Sequence, residues 1–264
     1  MNLSQHSFVA VTDFFHAQSG IRLGPDKLAL VQGRLQRLAN EAGHTDLDTY
    51  VGWALSSSAA DEQVRLVDRL TTNETYFFRE PEHFQYLGAH LETWKGPGAF
   101  RVWSGASSSG EEAYSIAMVL RDRLQQRPWQ VVGTDLSTSV VDTANKGLYP
   151  LSRAEGIPEY YRKRYCLRGH GDYAQHMLMA RELRDHVHFQ TANLLEQLPE
   201  IGEFQVIFLR NVLIYFDVPS KREIVSRVMK KLAPGGLLFS GHSESLVNLS
   251  LPLKTLQPAV YTHA

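Results

Sequence analysis

RVWSGASSSGEEAYSIAMVL, residues 101–120, is the most informative stretch of the chain. Val102 and Trp103 near its start are β-branched and aromatic, as a strand favours. Gly105–Gly110 is a tight turn of small residues, and Glu111 opens a helix predicted to run to Gln126. Strand, small-residue turn and helix start together form the place where open α/β sheets hold ligands. Familiar phosphate and nucleophile chemistries fail here. Gly105 and Gly110 match the glycines of a phosphate loop, but Glu111-Glu112 stand where Lys-Ser/Thr is needed and would repel a triphosphate. The second glycine of a dinucleotide fingerprint is Ser107, and the last glycine of a nucleophile elbow is Ser109. A cofactor without phosphates and with cationic groups, S-adenosylmethionine, fits this loop. A helix start whose acids stabilise the helix dipole with no ligand is the other open reading.

Working outward, WQVVGTD (129–135) is the next strand and ends in Asp135, where a carboxylate can accept both hydroxyls of an adenosine ribose. The same Asp could equally cap the following helix, which runs through Asn145. VHFQTANL, FQVIFLRNV and GLLFSGH are further strands, the last after a helix predicted over Ser220–Leu232 that stops at Pro234-Gly235-Gly236. This alternation implies a mostly parallel sheet covered by helices on both faces, with the tail AVYTH returning as an antiparallel edge strand. Tyr160–Arg184, with turn glycines 169 and 171, breaks the rhythm as an inserted antiparallel β unit. Before Tyr76 only helical patterning appears: Leu28, Val31, Leu35 and Leu38 share one stripe, and Val64, Val67 and Leu70 a second.

Composition narrows the class. The chain has 264 residues, with 27 Lys plus Arg against 28 Asp plus Glu, a formal charge of −1. No global field exists to hold nucleic acid or anionic lipid, and no apolar run is long enough to span a bilayer. The single cysteine, Cys166, excludes an internal disulfide and a multi-cysteine metal site, and it fits a cytoplasmic protein. His186 and His188 alternate on a strand, and His242 follows Gly241. No third and fourth ligand can be placed beside them, so no metal is expected.

Taken together, LTTNETYFFREPEHF, the 101–120 stretch, GTDLSTSVVDTANKGLY, NLLEQLP, FQVIFLRNVLIYFD and LAPGGLLFSGHSESL resemble the chemotaxis receptor methyltransferases of the CheR type. The resemblance runs from about Leu70 to the end and more loosely through the preceding helices. It implies a class I (Rossmann-like) methyltransferase domain over 73–264, an all-α domain over 1–72, and a small β-subdomain at about 160–185. The implied activity is transfer of a methyl group from S-adenosylmethionine to glutamate side chains of chemoreceptors, which sets receptor adaptation. The resemblance implies a cofactor pocket of Asn73, Thr75, Arg79, Glu112, Asp135, Asn193, Leu194, Arg210 and Asn211, with Asp135 on the ribose and Asn193-Leu194 flanking the adenine. Arg79 and Tyr215 are the residues it sets beside the transferred methyl.

The implied partners are receptor signalling helices. Lys27, Arg34 and Arg37 form a basic strip on one side of the N-terminal helix stripe, read either as a dock for acidic receptor segments or as a solvated face. Members of this family that grip a receptor's C-terminal peptide carry a glycine-rich β-subdomain loop. Here Ala174-Gln175 replace a further glycine, which puts that tether in doubt. Two other activities fit the residues: methylation of a different carboxylate, and a cofactor-binding scaffold without catalysis.

Overall fold

Ser4 starts the first helix by accepting the Ser7 N–H at 3.2 Å, and Gly20, in a left-handed conformation, ends it. This helix, α1 (Gln5–Ser19), buries Phe8, Val11 and Phe15 against α2 (Leu28–Glu41), α3 (Leu47–Ala54) and α4 (Ala60–Leu70). The computed structural model describes residues 1–56 and 58–264. In α2 the expected stripe is buried at Val31, Leu35 and Leu38. In α4 the expected stripe holds only in part: Leu70 is buried and Val67 packs against the core, but Val64 is exposed, and Glu62 and Leu66 face inward in its place. Positions 62, 66 and 70 align at helical spacing, and Glu62 tolerates burial because Tyr50 Oη (2.7 Å) and Arg65 Nη1 (2.6 Å) both donate to its carboxylate.

Beyond a connecting segment, α5 (Pro81–Thr93) leads to β1 (Phe100–Gly105), α6 (Glu111–Leu124), β2 (Trp129–Asp135) and α7 (Thr138–Lys146). There follow β3 (Leu148–Pro150), α8 (Glu159–Tyr165), β4 (Cys166–Arg168), β5 (His176–Met179), the short α9 (Arg181–Arg184) and β6 (Val187–Thr191). The chain closes with β7 (Phe204–Leu209), α10 (Val218–Met229), β8 (Leu232–Ser240), β9 (Leu253–Gln257) and β10 (Val260–His263). The main sheet has the order β6-β2-β1-β7-β8-β10-β9, and β6 through β8 are parallel. Its strands alternate between two covered faces: Val206 and Phe208 enter one core, Ile207 and Leu209 the other. Burial on both faces is why FQVIFL reads as an unbroken apolar run.

The strand order reverses at β1, with β2 on one side and β7 on the other, so the ends of β1 and β7 open a crevice. Gly105 and Leu209 are paired there in register. A second, antiparallel sheet, β3-β5-β4, forms the excursion. Its first strand comes from Leu148–Pro150, upstream of residue 160, and Gly169 sits where a Cβ would fall 2.1 Å from the Tyr173 carbonyl oxygen.

Two expectations need correction. The helix before β8 starts at Val218, capped by Asp217, and ends at Met229; Pro234-Gly235-Gly236 lies within β8, where the register with β7 shifts. The tail is antiparallel but not at the edge: β10 pairs β8 on one side and β9 on the other. The outermost strand, LKTLQ, is mostly exposed and follows Pro252, so it carries no apolar alternation to betray it. Among the described residues no helix is long and apolar enough to cross a membrane.

Candidate active site

The turn after β1 is built by backbone conformation. Ala106 (φ 62°), Ser108 (φ 49°) and Gly110 (φ 95°) are left-handed, which turns successive N–H groups inward. Ser107 N–H bonds the Thr134 carbonyl at 2.8 Å, tying the turn to β2. A Cβ at Gly105 would meet Leu209 Cδ1 at 3.3 Å, and one at Gly110 would meet Ala144, Tyr149 and Phe189. Close packing of the turn onto its own sheet and helices therefore accounts for both glycines.

Over this turn lies a cavity of about 420 Å³, a size suited to a small-molecule cofactor. Asn73, Thr75, Arg79, Glu112, Asp135, Asn193, Leu194, Arg210, Asn211 and Tyr215 all line it. Asp135 is 7% exposed and accepts Ser108 N–H at 2.8 Å on Oδ2 and Ser137 N–H at 3.0 Å on Oδ1. Burial raises its carboxyl above the usual range, against those two N–H groups. Each oxygen keeps an acceptor site beyond its backbone bond, which suits a pair of hydroxyls.

Glu112 and Arg210 form the buried charge cluster of the wall. Arg210, 4% exposed, donates from Nη1 to Glu112 Oε2 (2.9 Å) and lies 3.0 Å through Nη2 from Glu80 Oε2. Nη2 also donates to the Arg79 carbonyl, and the guanidinium carbon lies 5.8 Å from the centre of the Phe84 ring and 5.9 Å from that of Phe208. Ser104 Oγ donates to Glu112 Oε1 at 2.7 Å. One guanidinium offsets one carboxylate. Burial pushes Glu112 upward despite Arg210 and Ser104. Burial pushes Glu80 the same way, but Arg210 and the His242 N–H outweigh it and hold Glu80 below the usual range.

Several side chains are already engaged. Asn193 Nδ2 donates to the Gln18 carbonyl (2.9 Å) and to Glu196, so this amide ties the wall to the end of α1. Asn73 Nδ2 donates to Thr71, and the Asn73 backbone carbonyl accepts Ser108 Oγ at 3.0 Å. Arg79 is different: half-buried, it reaches, among the described residues, only the Glu74 carbonyl (3.2 Å) and the face of Tyr76 (5.6 Å). Tyr215 is half-buried on the segment after β7.

That segment is held by a residue the sequence did not single out. Glu244, 6% exposed, accepts the N–H groups of Asn211 (2.5 Å) and Gly241 (2.9 Å) on Oε2, and of Ile214 (3.2 Å) on Oε1. Asn211 is left-handed at φ 58°, a conformation these bonds support. Sequence reasoning also missed the contribution to the cavity wall of the connection between α1 and α2 and the start of α2, through Ile21, Leu23, Lys27 and Leu30. Of the basic strip, Lys27 lines the cavity and lies 3.0 Å from Asp26, Arg34 turns inward to the Leu70 carbonyl (2.6 Å) and Thr72, and Arg37 pairs with Glu41 (2.7 Å).

Comparison with known proteins identifies the family. The model of the CheR methyltransferase SAM binding domain matches residues 73–261, and that of the CheR methyltransferase all-alpha domain matches residues 6–71. A chemotaxis protein methyltransferase of Salmonella typhimurium is 38% identical over 250 residues, covering 94% of this chain and 86% of that protein. Chemotaxis protein methyltransferase 2 of Pseudomonas aeruginosa is 38% identical over 275 residues, covering 99% and 94%. A solved glycopeptide N-methyltransferase, MtfA, complexed with S-adenosyl-L-methionine, is a looser likeness, 17% identical with a TM-score of 0.38 over 74% of this chain and 71% of its own. Matched by both family models and sharing 38% identity with relatives along nearly its whole length, the chain belongs to the CheR methyltransferase family and is an S-adenosylmethionine-dependent methyltransferase.

Proposed function

We propose that this enzyme methylates glutamate side chains on the cytoplasmic signalling helices of a chemoreceptor, forming methyl esters, and that it works in the cytoplasm. The observation that carries the reading is Arg79. Its guanidinium stands on the cavity wall without a carboxylate partner among the described residues. A guanidinium beside a cavity with no carboxylate already paired to it is available to an incoming carboxylate through charge-assisted hydrogen bonds.

Bound S-adenosylmethionine supplies an electrophilic methyl group on a sulfonium. A substrate glutamate with a pKa of ~4.3 is already the nucleophilic anion at neutral pH, so the protein need supply no general base. Its residues work by alignment and exclusion of water. Arg79 and Tyr215 orient the incoming carboxylate. Asp135 takes the ribose hydroxyls on the lone pairs that Ser108 and Ser137 leave free. Glu112, whose burial disfavours its anion while Arg210 and Ser104 favour it, faces the cationic end of the cofactor, with Asn73 and Thr75 beside it. Asn193 and Leu194 flank the adenine, and Arg210 and Asn211 close the wall. Residues 73–264 are the transferase domain, with the small sheet inserted in it. Residues 1–72 meet the receptor, with the exposed Lys27 and Arg37 as the contact for acidic helices, while Arg34 is taken up by the Leu70 carbonyl and Thr72.

The test uses the full chain, a receptor signalling fragment and S-adenosylmethionine labelled in the methyl group. Label should enter the fragment and be released by mild alkali as methanol, the mark of a carboxylate ester. Base-stable label, or none with cofactor bound, would overturn the reading.

A further inference from the structure

The sequence offered His242 no metal-binding partners, but the fold supplies two. His83, in the first turn of α5, is 1% exposed, and neither of its ring nitrogens has a hydrogen-bond partner among the described residues. Buried polar atoms are rarely left so. Its Nδ1 lies 3.5 Å from Glu80 Oε2, and His242 Nε2 lies 4.0 Å from the same oxygen. The two imidazoles meet edge to face at 4.8 Å, and one ligand atom from each of the three residues lies within 4.8 Å of the other two. His242, half exposed on the loop after β8, opens the group to solvent.

We propose that Glu80, His83 and His242 form a binding site for a divalent cation of the zinc type. Two imidazole nitrogens and one carboxylate oxygen are the donor set of zinc, whereas magnesium and calcium require oxygen ligands. Ligand atoms around tetrahedral zinc sit ~3.3 Å apart, given metal–nitrogen bonds of ~2.0–2.1 Å. The Glu80–His83 separation of 3.5 Å is close to that, and the exposed His242, 4.0 Å from the same oxygen, must swing inward to complete the set. The buried His83 gains the partner it lacks, and the half-exposed His242 completes the site from outside.

The site is wired to the cofactor cavity. Glu80 Oε2 is also 3.0 Å from Arg210 Nη2, and the other terminal nitrogen of Arg210 holds Glu112 on the cavity wall. A cation that takes Glu80 leaves Arg210 with Glu112 alone. Cation and cofactor therefore influence each other's affinity, and by linkage the effect is equal in both directions.

The experiment is calorimetric titration of untagged full-length protein with ZnCl₂, and separately with MgCl₂, for the wild type and for His242→Gln. One zinc should bind the wild type with a micromolar Kd, magnesium should not bind, and His242→Gln should weaken zinc binding at least tenfold. His83→Gln, where circular dichroism shows it folded, should lose the site. Cobalt provides a second readout, an absorption band in the wild type that is absent in His242→Gln. Absence of zinc binding, or zinc binding that survives His242→Gln and so belongs to other surface histidines, overturns the site. S-adenosylhomocysteine affinity unchanged by saturating zinc overturns the coupling.

Discussion

Arg210 Nη1 lies 2.9 Å from Glu112 Oε2, a buried ion pair that joins the end of β7 to the first turn of α6 across the crevice between β1 and β7. The second carboxylate on the same guanidinium, Glu80, belongs to the segment entering α5. Arg210 thus fastens three separate parts of the cavity wall with one side chain. Removing it would leave two carboxylates facing each other in an apolar setting between Phe84 and Phe208.

Arg210→Met should therefore cost about 3–5 kcal/mol of stability, the range for breaking a buried pair by deleting one partner. Urea denaturation of the single variant and of Arg210→Met/Glu112→Gln measures it. The double variant should recover part of the loss, and a single-variant loss below about 1 kcal/mol would mean that water already solvates the pair.

Asp135→Asn keeps the fold's backbone contact on one oxygen but replaces the other acceptor by a donor. Cofactor binding should weaken by about 1–3 kcal/mol, because a buried hydroxyl and an N–H lose their acceptor. Titration with S-adenosylhomocysteine reads this directly, and an unchanged Kd would remove Asp135 from the ribose.

Tyr215→Phe removes one hydroxyl from the half-buried segment after β7. Its expected signature is a fall in kcat of about tenfold, or ~1.4 kcal/mol, with S-adenosylhomocysteine affinity retained. A wild-type rate would leave Tyr215 as packing alone. Glu244→Gln tests the same segment indirectly. The amide cannot accept at both former oxygens, so the N–H groups of Asn211, Gly241 and Ile214 lose part of their cap. Lower kcat, with a lower Tm, should follow.

Stability should also depend on pH through His83. Burial pulls its pKa from 6.5 down to about 4, with the Arg210 charge adding to the shift. As pH falls below 6.5 the unfolded chain takes up a proton that the folded chain refuses. The contribution of neutral His83 is thus complete above pH ~6.5 and is lost progressively between 6.5 and 4. Between pH 7.5 and 5 the wild type should lose about 2 kcal/mol more than His83→Gln, measured by urea denaturation with EDTA present. Parallel pH profiles would show that His83 is hydrated in the folded protein.

Strand, turn and helix at 101–120 were legible from the sequence because each depends on neighbours a few residues away. So were the acid at Asp135 and the apolar runs of β6, β7 and β8. In the α4 stripe Val67 and Leu70 were read correctly, but Val64 was misplaced because Val64 and Leu66 are equally apolar, and only the packing of Tyr50 and Arg65 around Glu62 chooses the inward face. Strand β9 escaped because an exposed edge strand needs no apolar alternation.

The family resemblance collected ten site residues from scattered motifs, and the fold lines one cavity with all of them. Which of those side chains face one another was beyond the sequence. Glu112 and Arg210 are 98 residues apart, and Arg79 and Arg210 are 131 apart. The Glu244 cap, the wall supplied by Ile21 and Lys27, and the meeting of Glu80, His83 and His242 are likewise products of the sheet order. Local pattern encodes what a segment becomes, because backbone conformation and apolar period are decided within a turn or two. Charge pairing and site closure are decided only when burial removes water and leaves each polar group to the partner that the topology brings within reach.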